Sequence, residues 1–505
     1  MHSRLIAEAS LAALILVTTL PAQAESAGSA PPNSFAATDR IFDEFRLDAH
    51  VPGLVYGVVI DGRLVHVGAF GVQDTESKRP VNADTLFRIA SMTKAFTALT
   101  LLKLRDNGRV RLDALAEEYV PEMRGWKYPT EDSPHIRVRD LLSHAGGFVT
   151  DDPWGDRQTP MPEQDFTKFL QQGVPFTRAP GIAFEYSNLG YALLGRIVTN
   201  VSKQLYSDTI TQTLLKPLGM ESSGFVADAA PQERRALGYR WENDAWRLEP
   251  FLGPGAFGAM GGLQTSVNDY AKWVTFLLSA WPPRDGADTG PVKRGTVREL
   301  AEGLNFPRVR VRAGRGGADS CRQPITYGMG MIVVVDCDLG TTLIHSGGYP
   351  GYGSNLLLMP NRGAAIFAFA NRTYAAPTAA VWDAAAALLK ANALPSERTV
   401  PISAELAESY RTAGAIYKSG SVAASNESLA MNFLLDRDAD AWARELAKLK
   451  AQVGDCDSSA PVSATGALTG EFTWRCSHGR VKGSLLLAPT RPPRIQALTL
   501  TSATP

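Results

Sequence analysis

The sequence predicts an α+β protein: an antiparallel sheet flanked by helices, an all-helical lobe beside it, and a smaller C-terminal α+β domain. Three observations carry this. GLVYGVVIDGRLVHVGAFG alternates on both sides of Asp61-Gly62, a strong hairpin signal. YGMGMIVVVD, TTLIHSGG, SNLLLMP and AAIFAFANR are four short apolar runs split by turn residues, the pattern of an antiparallel meander. Apolar stretches of helical character stand before and after that meander.

Taken in order, the 505 residues are too many for one small domain. MHSR, LAALILVTTL and PAQA give a basic end, an apolar stretch and a small-x-small cleavage pattern, so 1–24 is expected to be a signal peptide. Its apolar run is far below the roughly 20 residues that span a bilayer, and no stable membrane span is expected elsewhere. A loose leader is expected over 25–37, where small, polar and proline residues gather. Domain one covers 38–392. It opens with the hairpin and continues into a helix beginning near Ser91 and stopping at Asn107-Gly108. Residues 121–180 read as Pro/Gly/Asp-rich loop, with IRVRDLLSHAGGF as one ordered island. Another helix follows Tyr186. GAMGGLQTSVNDYAKWVTFLLSA reads as a glycine turn, a polar cap and an amphipathic helix. Residues 281–325 read as loop, the meander comes next, and AAPTAAVWDAAAALLKANA closes the domain as a helix. A linker is expected over 393–401, then a small domain over 402–505 with a helical part around WARELAKLK and strands from FTWRC onward. No internal repeat is visible.

Composition narrows the function. The 51 basic and 51 acidic residues cancel, and no long basic run exists, which argues against nucleic acid as a partner. Cys321 and Cys337 are close in sequence, as are Cys456 and Cys476. Four cysteines allow three connectivities; the local pairing is favoured, and disulfides fit a periplasmic or secreted protein. None has zinc-ligand spacing, the seven histidines form no HExxH cluster, and neither metal nor cofactor is called for.

The chemistry centres on FRIASMTKAFTALTLLKL. Ser91 and Lys94 stand at i and i+3, so on a helix their side chains meet. A serine hydroxyl is a poor nucleophile until a base takes its proton, and a lysine buried among apolar neighbours can be that base. S-x-x-K alone is a weak signal. It is followed by Tyr186-Ser187-Asn188 in a turn opening an apolar helix, and by His345-Ser346-Gly347-Gly348 at the end of a strand.

S-x-x-K, Y-x-N and a [K/H]-[S/T]-G strand in this order resemble the penicillin-recognising serine hydrolases: class C β-lactamases, D-Ala-D-Ala carboxypeptidases, D-aminopeptidases and related esterases. VRDLLSHAGGF, AMGGLQTSVNDYAKW and HSGGYPGYGSNLLLMPN are similar to segments of the same family, so the resemblance covers about 38–392. It implies a serine β-lactamase-like fold and an acyl-enzyme on Ser91, with Lys94 and Tyr186 sharing the proton traffic; which of the two is the base stays open. It implies that Asn188 either hydrogen-bonds the substrate's amide or steadies Lys94, although capping its helix is an alternative. The oxyanion would face the backbone N–H groups of Ser91 and Gly348, with His345 and Gly347 on the substrate-binding strand. His144 is left structural. Lys418-Ser419-Gly420 fits the lysine form of the third motif, but it follows an apparent helix, so Gly420 reads as a helix stop and His345 is preferred.

A histidine in place of lysine is only partly charged near neutral pH, which weakens the case for an efficient β-lactamase. No G-x-S-x-G occurs, so an α/β-hydrolase esterase is not supported. The expected function is an exported serine hydrolase acting on small-molecule or peptide substrates: D-amino-acid-containing peptides, amides or esters. The alternatives are a carboxylesterase of broad range, or a β-lactam- or peptide-binding receptor that deacylates slowly. The oligomeric state is not legible.

Overall fold

The structure, a computed structural model, describes residues 34–225, 232–312, 320–398 and 400–503. The expected signal peptide and all but the end of the expected leader lie outside these residues. The strands of the larger sheet are β1 (Gly53–Ile60), β2 (Arg63–Gly71), β3 (Asn305–Arg312), β4 (Cys321–Tyr327), β5 (Ile332–Asp336), β6 (Gly340–Tyr349), β7 (Tyr352–Met359) and β8 (Ala364–Ala370). The main helices are α1 (Ser34–Asp48), α2 (Thr93–Asp106), α3 (Trp154–Arg157), α4 (Glu163–Gln171), α5 (Asn188–Ser202), α6 (Val267–Leu278), α7 (Thr378–Lys390), α8 (Ala404–Ser419) and α9 (Ala439–Val453).

Chain reversal at Asp61 (φ 48°) and Gly62 (φ 75°) puts two successive residues in the left-handed region, as a two-residue hairpin turn requires. The antiparallel sheet runs β2-β1-β8-β7-β6-β5-β4-β3. Its central strands alternate between two cores because side chains on a strand point to opposite faces. On β1, Leu54, Tyr56 and Val58 join one core, while Val55 and Val59 join the other. Helices α1 and α7 cover the first face and pack on each other. The second face meets α6 and then the helical lobe, where α2 is buried almost all round; Phe96 stacks on Trp273 at 3.8 Å. The α+β architecture with its helical lobe is therefore as expected.

Four details differ. Helix α1 takes in the last residues of the expected leader, because Phe35 stacks on His66 at 4.5 Å and Phe42 on Tyr56 at 3.9 Å. The segment read as loop over 121–180 contains α4, whose Phe166 and Leu170 share one buried face. The segment read as loop over 281–325 contains β3 and most of β4. β3 is an edge strand with exposed Phe306 and, between arginines, exposed Val309 and Val311, so no buried face marked it in the sequence. Finally, the helix near Ser91 starts at Thr93, and Ser91 lies in a 3₁₀ turn over Ala90–Met92.

The C-terminal region folds around its own core. A five-stranded antiparallel sheet from Cys456 to Ala503 packs against α8 and α9, with Trp474 at its centre. Cys321 pairs with Cys337 and Cys456 with Cys476. Gly420 ends α8 at φ 71°, so Lys418-Ser419-Gly420 is a helix stop and not a strand motif. Among the described residues no helix is long and apolar enough to cross a membrane.

Candidate active site

Ser91 is placed by what holds the residues before it. Phe87–Arg88 pair with Gln264–Thr265, and Ile89 N–H donates to the Leu263 carbonyl at 3.0 Å. Ala90 then takes a left-handed φ of 49°, an uncommon conformation for a residue with a Cβ, which turns the chain into the 3₁₀ turn. From the other side, β6 presses on the same turn. A Cβ on Gly347 would lie 2.4 Å from the Ile89 carbonyl oxygen and 2.2 Å from Ser354 Oγ, so only glycine fits there. Side chains three apart nearly eclipse in a 3₁₀ turn, so Ser91 still meets Lys94 although the α-helix begins two residues later.

Lys94 is wholly buried and makes three hydrogen bonds: to Ser91 Oγ at 3.0 Å, Asn188 Oδ1 at 2.8 Å and the Met260 carbonyl at 3.0 Å. An ammonium has three N–H donors and no acceptor, so the charged form is saturated. Its Nζ lies 4.9 Å from the ring centre of Tyr186 and 5.4 Å from that of Tyr191. Burial pulls its pKa down to about 8, against the pull of Asp152, Asp156 and Asp151 toward the ammonium.

Tyr186 and Asn188 stand at the entry to α5. Ser187 caps this helix by accepting from Gly190 N at 3.4 Å, while Asp151 takes the Asn188 and Leu189 N–H groups at 2.6 and 2.8 Å. Capping is thus done by Ser187 and Asp151, which leaves the Asn188 side chain to Lys94. The Tyr186 hydroxyl is held well above the usual phenol pKa by burial and then Asp152, opposed by the Ser91 hydroxyl. His144 grips this turn from below. Its carbonyl accepts from Glu185 N at 2.9 Å, its Nδ1 accepts from Ser187 N at 3.1 Å, and its ring lies 4.3 Å from that of Tyr186.

His345 is buried on β6. Its Nδ1 donates to the Ser346 carbonyl at 2.6 Å, and its Nε2 meets the Tyr327 hydroxyl at 3.1 Å. Burial, then Lys94, push its pKa down to about 3, so it carries no charge at neutral pH. Both ring nitrogens are engaged. Gly348 lies under the ring of Tyr374, whose hydroxyl donates to Asp156 Oδ2 at 3.0 Å across the cleft.

The structure therefore brings Ser91, Lys94, Tyr186, Asn188, His345 and Gly347 into one cluster between β6 and the helical lobe, with Gly348 next along the strand. The sequence reading missed Asp151, Asp152 and Asp156. They lie in DDPWGD, a stretch whose composition reads as loop, and only its contact with Asn188 gives it meaning. Among the described residues no group of His, Cys, Asp and Glu has the geometry to hold a metal ion.

Residues 38–391 match the family model described as Beta-lactamase. Protein flp of Staphylococcus aureus (strain COL) is 31% identical over 251 residues, 48% of this chain and 49% of that protein. Esterase EstB of Burkholderia gladioli is 31% identical over 216 residues, 40% of this chain and 54% of that protein. The matches thus span about half the length of these curated relatives. Two solved structures share the fold. The octameric penicillin-binding protein homologue from Pyrococcus abyssi aligns with a TM-score of 0.60 at 20% identity, covering 90% of this chain and 96% of that one. A class C beta-lactamase aligns with a TM-score of 0.55 at 20% identity, covering 70% and 96%. With the family model spanning well over half of its length, this chain belongs to the Beta-lactamase family.

Proposed function

We propose that this protein is an exported serine hydrolase that forms an acyl-enzyme on Ser91 and cleaves esters and amides, D-amino-acid-containing peptides among them. The observation that carries the reading is the set of acceptors around Lys94. Two of the three, Asn188 Oδ1 and the Met260 carbonyl, can only accept. When Lys94 loses a proton, its two remaining N–H bonds stay on those oxygens, and the lone pair is left facing Ser91 Oγ. That is the geometry of a general base beside its nucleophile.

The steps follow from the groups present. Lys94 Nζ takes the Ser91 proton as Oγ attacks the carbonyl carbon. The oxyanion would be received by the N–H groups of Ser91 and Gly348, a reading supported by the close packing of Gly347 on the Ile89–Ala90 turn that precedes Ser91. Tyr186, protonated at neutral pH because its pKa is raised, passes a proton to the leaving group. Water then attacks the acyl-enzyme, and the same groups run in reverse. Neutral His345 offers no fixed charge to a substrate carboxylate, which favours substrates whose reacting end is uncharged. The match to an esterase supports ester cleavage, and two disulfides support export.

The test is intact mass of the mature protein after brief exposure to p-nitrophenyl acetate and, separately, benzylpenicillin, with Ser91→Ala alongside. An adduct or turnover on the wild type alone is expected for the ester. Equal turnover by Ser91→Ala would defeat the reading. Stable acylation by penicillin without ester turnover would move it to a penicillin-binding receptor.

A further inference from the structure

A Lys94 lone pair that faces Ser91 requires the Asn188 amide to present its oxygen to Lys94. An amide can turn over, and the reversed orientation would aim an NH₂ donor at Lys94 and occupy its lone pair. What fixes the orientation lies on the far side of the amide. Asn188 Nδ2 donates to Asp152 Oδ1 in a short contact and faces Asp156 Oδ1 at 3.4 Å. A carboxylate only accepts, so it holds the NH₂ and sends the oxygen to Lys94. Asp156 is in turn held by the Tyr374 hydroxyl, 3.0 Å from its other oxygen. Asp151 has no part in this, because both its oxygens are taken by helix N–H groups.

We propose that Asp152, backed by Asp156, is a positioning residue that acts through the Asn188 amide to keep the lone pair of Lys94 on Ser91. The proposal rests on the reading of Lys94 as the base. It also means that the Asn188 NH₂ is committed and makes no hydrogen bond to a substrate carbonyl.

The groups facing Lys94 decide how this is read out. Tyr191 faces it from α5 and Tyr186 from the turn before it, His345 from β6, His144 from the loop after Leu142, Asp151 and Asp152 from the segment leading into α3, and Asp156 from α3 itself. Both histidines are pushed below their usual pKa and both tyrosines above theirs, so neither pair titrates near pH 8. Burial, then Asp152, raise Asp156 to about 7, so its own variant is needed to separate it from Lys94.

The experiment measures kcat and KM for p-nitrophenyl acetate across pH 5 to 10 in wild type, Asp152→Asn, Asp152→Glu, Asp156→Asn and Ser91→Ala, with a thermal melt of each. Asp152→Asn is expected to lower kcat by about 10- to 100-fold with KM within about twofold, since a second amide no longer dictates which way Asn188 faces. It is also expected to move the acid-side midpoint of kcat/KM below the wild-type value, because a lost negative charge disfavours the ammonium. Asp152→Glu keeps an acceptor and recovers most of kcat. If Asp152→Asn does not fold, Asp156→Asn is held to the same expectations at smaller size. The proposal is overturned by kcat within threefold of wild type in Asp152→Asn, by a loss confined to KM, or by an unmoved midpoint with no recovery in Asp152→Glu. Those results with an inactive Ser91→Ala defeat this inference alone; an active Ser91→Ala defeats the acyl-enzyme reading and the inference with it.

Discussion

The N-terminal region up to α7 and the C-terminal region from α8 onward bury different kinds of residue. The first encloses Lys94, His144, His345, Asp151 and Asp156 around one serine, and each of these side chains makes a hydrogen bond, His144 through Nδ1 while its buried Nε2 has no partner among the described residues. Among the described residues of the second, no charged side chain is buried; its core is Leu, Val, Phe, Tyr and Trp closed by the Cys456–Cys476 disulfide. Burying a charge costs several kcal/mol unless it is paired, so a region that does so repeatedly in one place is retaining it for something other than stability. The second region shows a core held by packing and by neutral hydrogen bonds such as that from the Trp474 indole to the Tyr410 hydroxyl. The contrast locates the chemistry without any motif.

The largest effect that tests this contrast is on the proposed nucleophile and its proposed base. Ser91→Ala and Lys94→Ala should each reduce ester turnover by about 10³-fold or more, with Ser91→Ala melting near the wild-type temperature. Retained turnover in either would erase the functional meaning of the buried polar cluster. Tyr186→Phe should follow at about 10²-fold in kcat, since it removes the proposed proton donor and leaves the ring that packs on His144. The pH profile sharpens the point. As the proposed base Lys94 must be neutral, and its pKa is lowered to about 8, so kcat/KM should climb as pH rises through about 8; a profile already flat from pH 6 would contradict it. In the other region, Trp474→Ala should destabilise the C-terminal core by about 3–5 kcal/mol, because it empties a fully buried site and leaves the Tyr410 hydroxyl without its indole donor. Differential scanning calorimetry would show this as a lowered transition, with kcat of the folded fraction unchanged. Replacing Cys456 and Cys476 by serine should cost less, about 2–4 kcal/mol, again without loss of kcat. A drop in kcat from either change would tie the second region to the cleft.

Legibility differed from residue to residue. The Asp61-Gly62 hairpin and the meander strands were readable because an alternating pattern or an apolar run with turn residues is a local property. β3 was not, since an exposed edge strand rich in arginine has no buried face to mark it. Ser91, Lys94, Tyr186 and Asn188 were found through spacing and motif order. The aspartates behind Asn188 were not, because a hydrogen bond between Asp152 and Asn188 joins residues far apart in the chain and no local pattern announces it.

Sequence alone determined the α+β architecture with its helical lobe, the family and the residues gathered at the cleft, because periodicity, turn chemistry and ordered motifs are carried by neighbouring residues. It left the charge states open. That His345 is neutral, that Lys94 titrates near 8 and that Asn188 turns its oxygen toward the lysine were decided only by tertiary structure. Each depends on desolvation and on acceptors brought from distant segments, and these exist only once the sheet and the helical lobe have closed on one another.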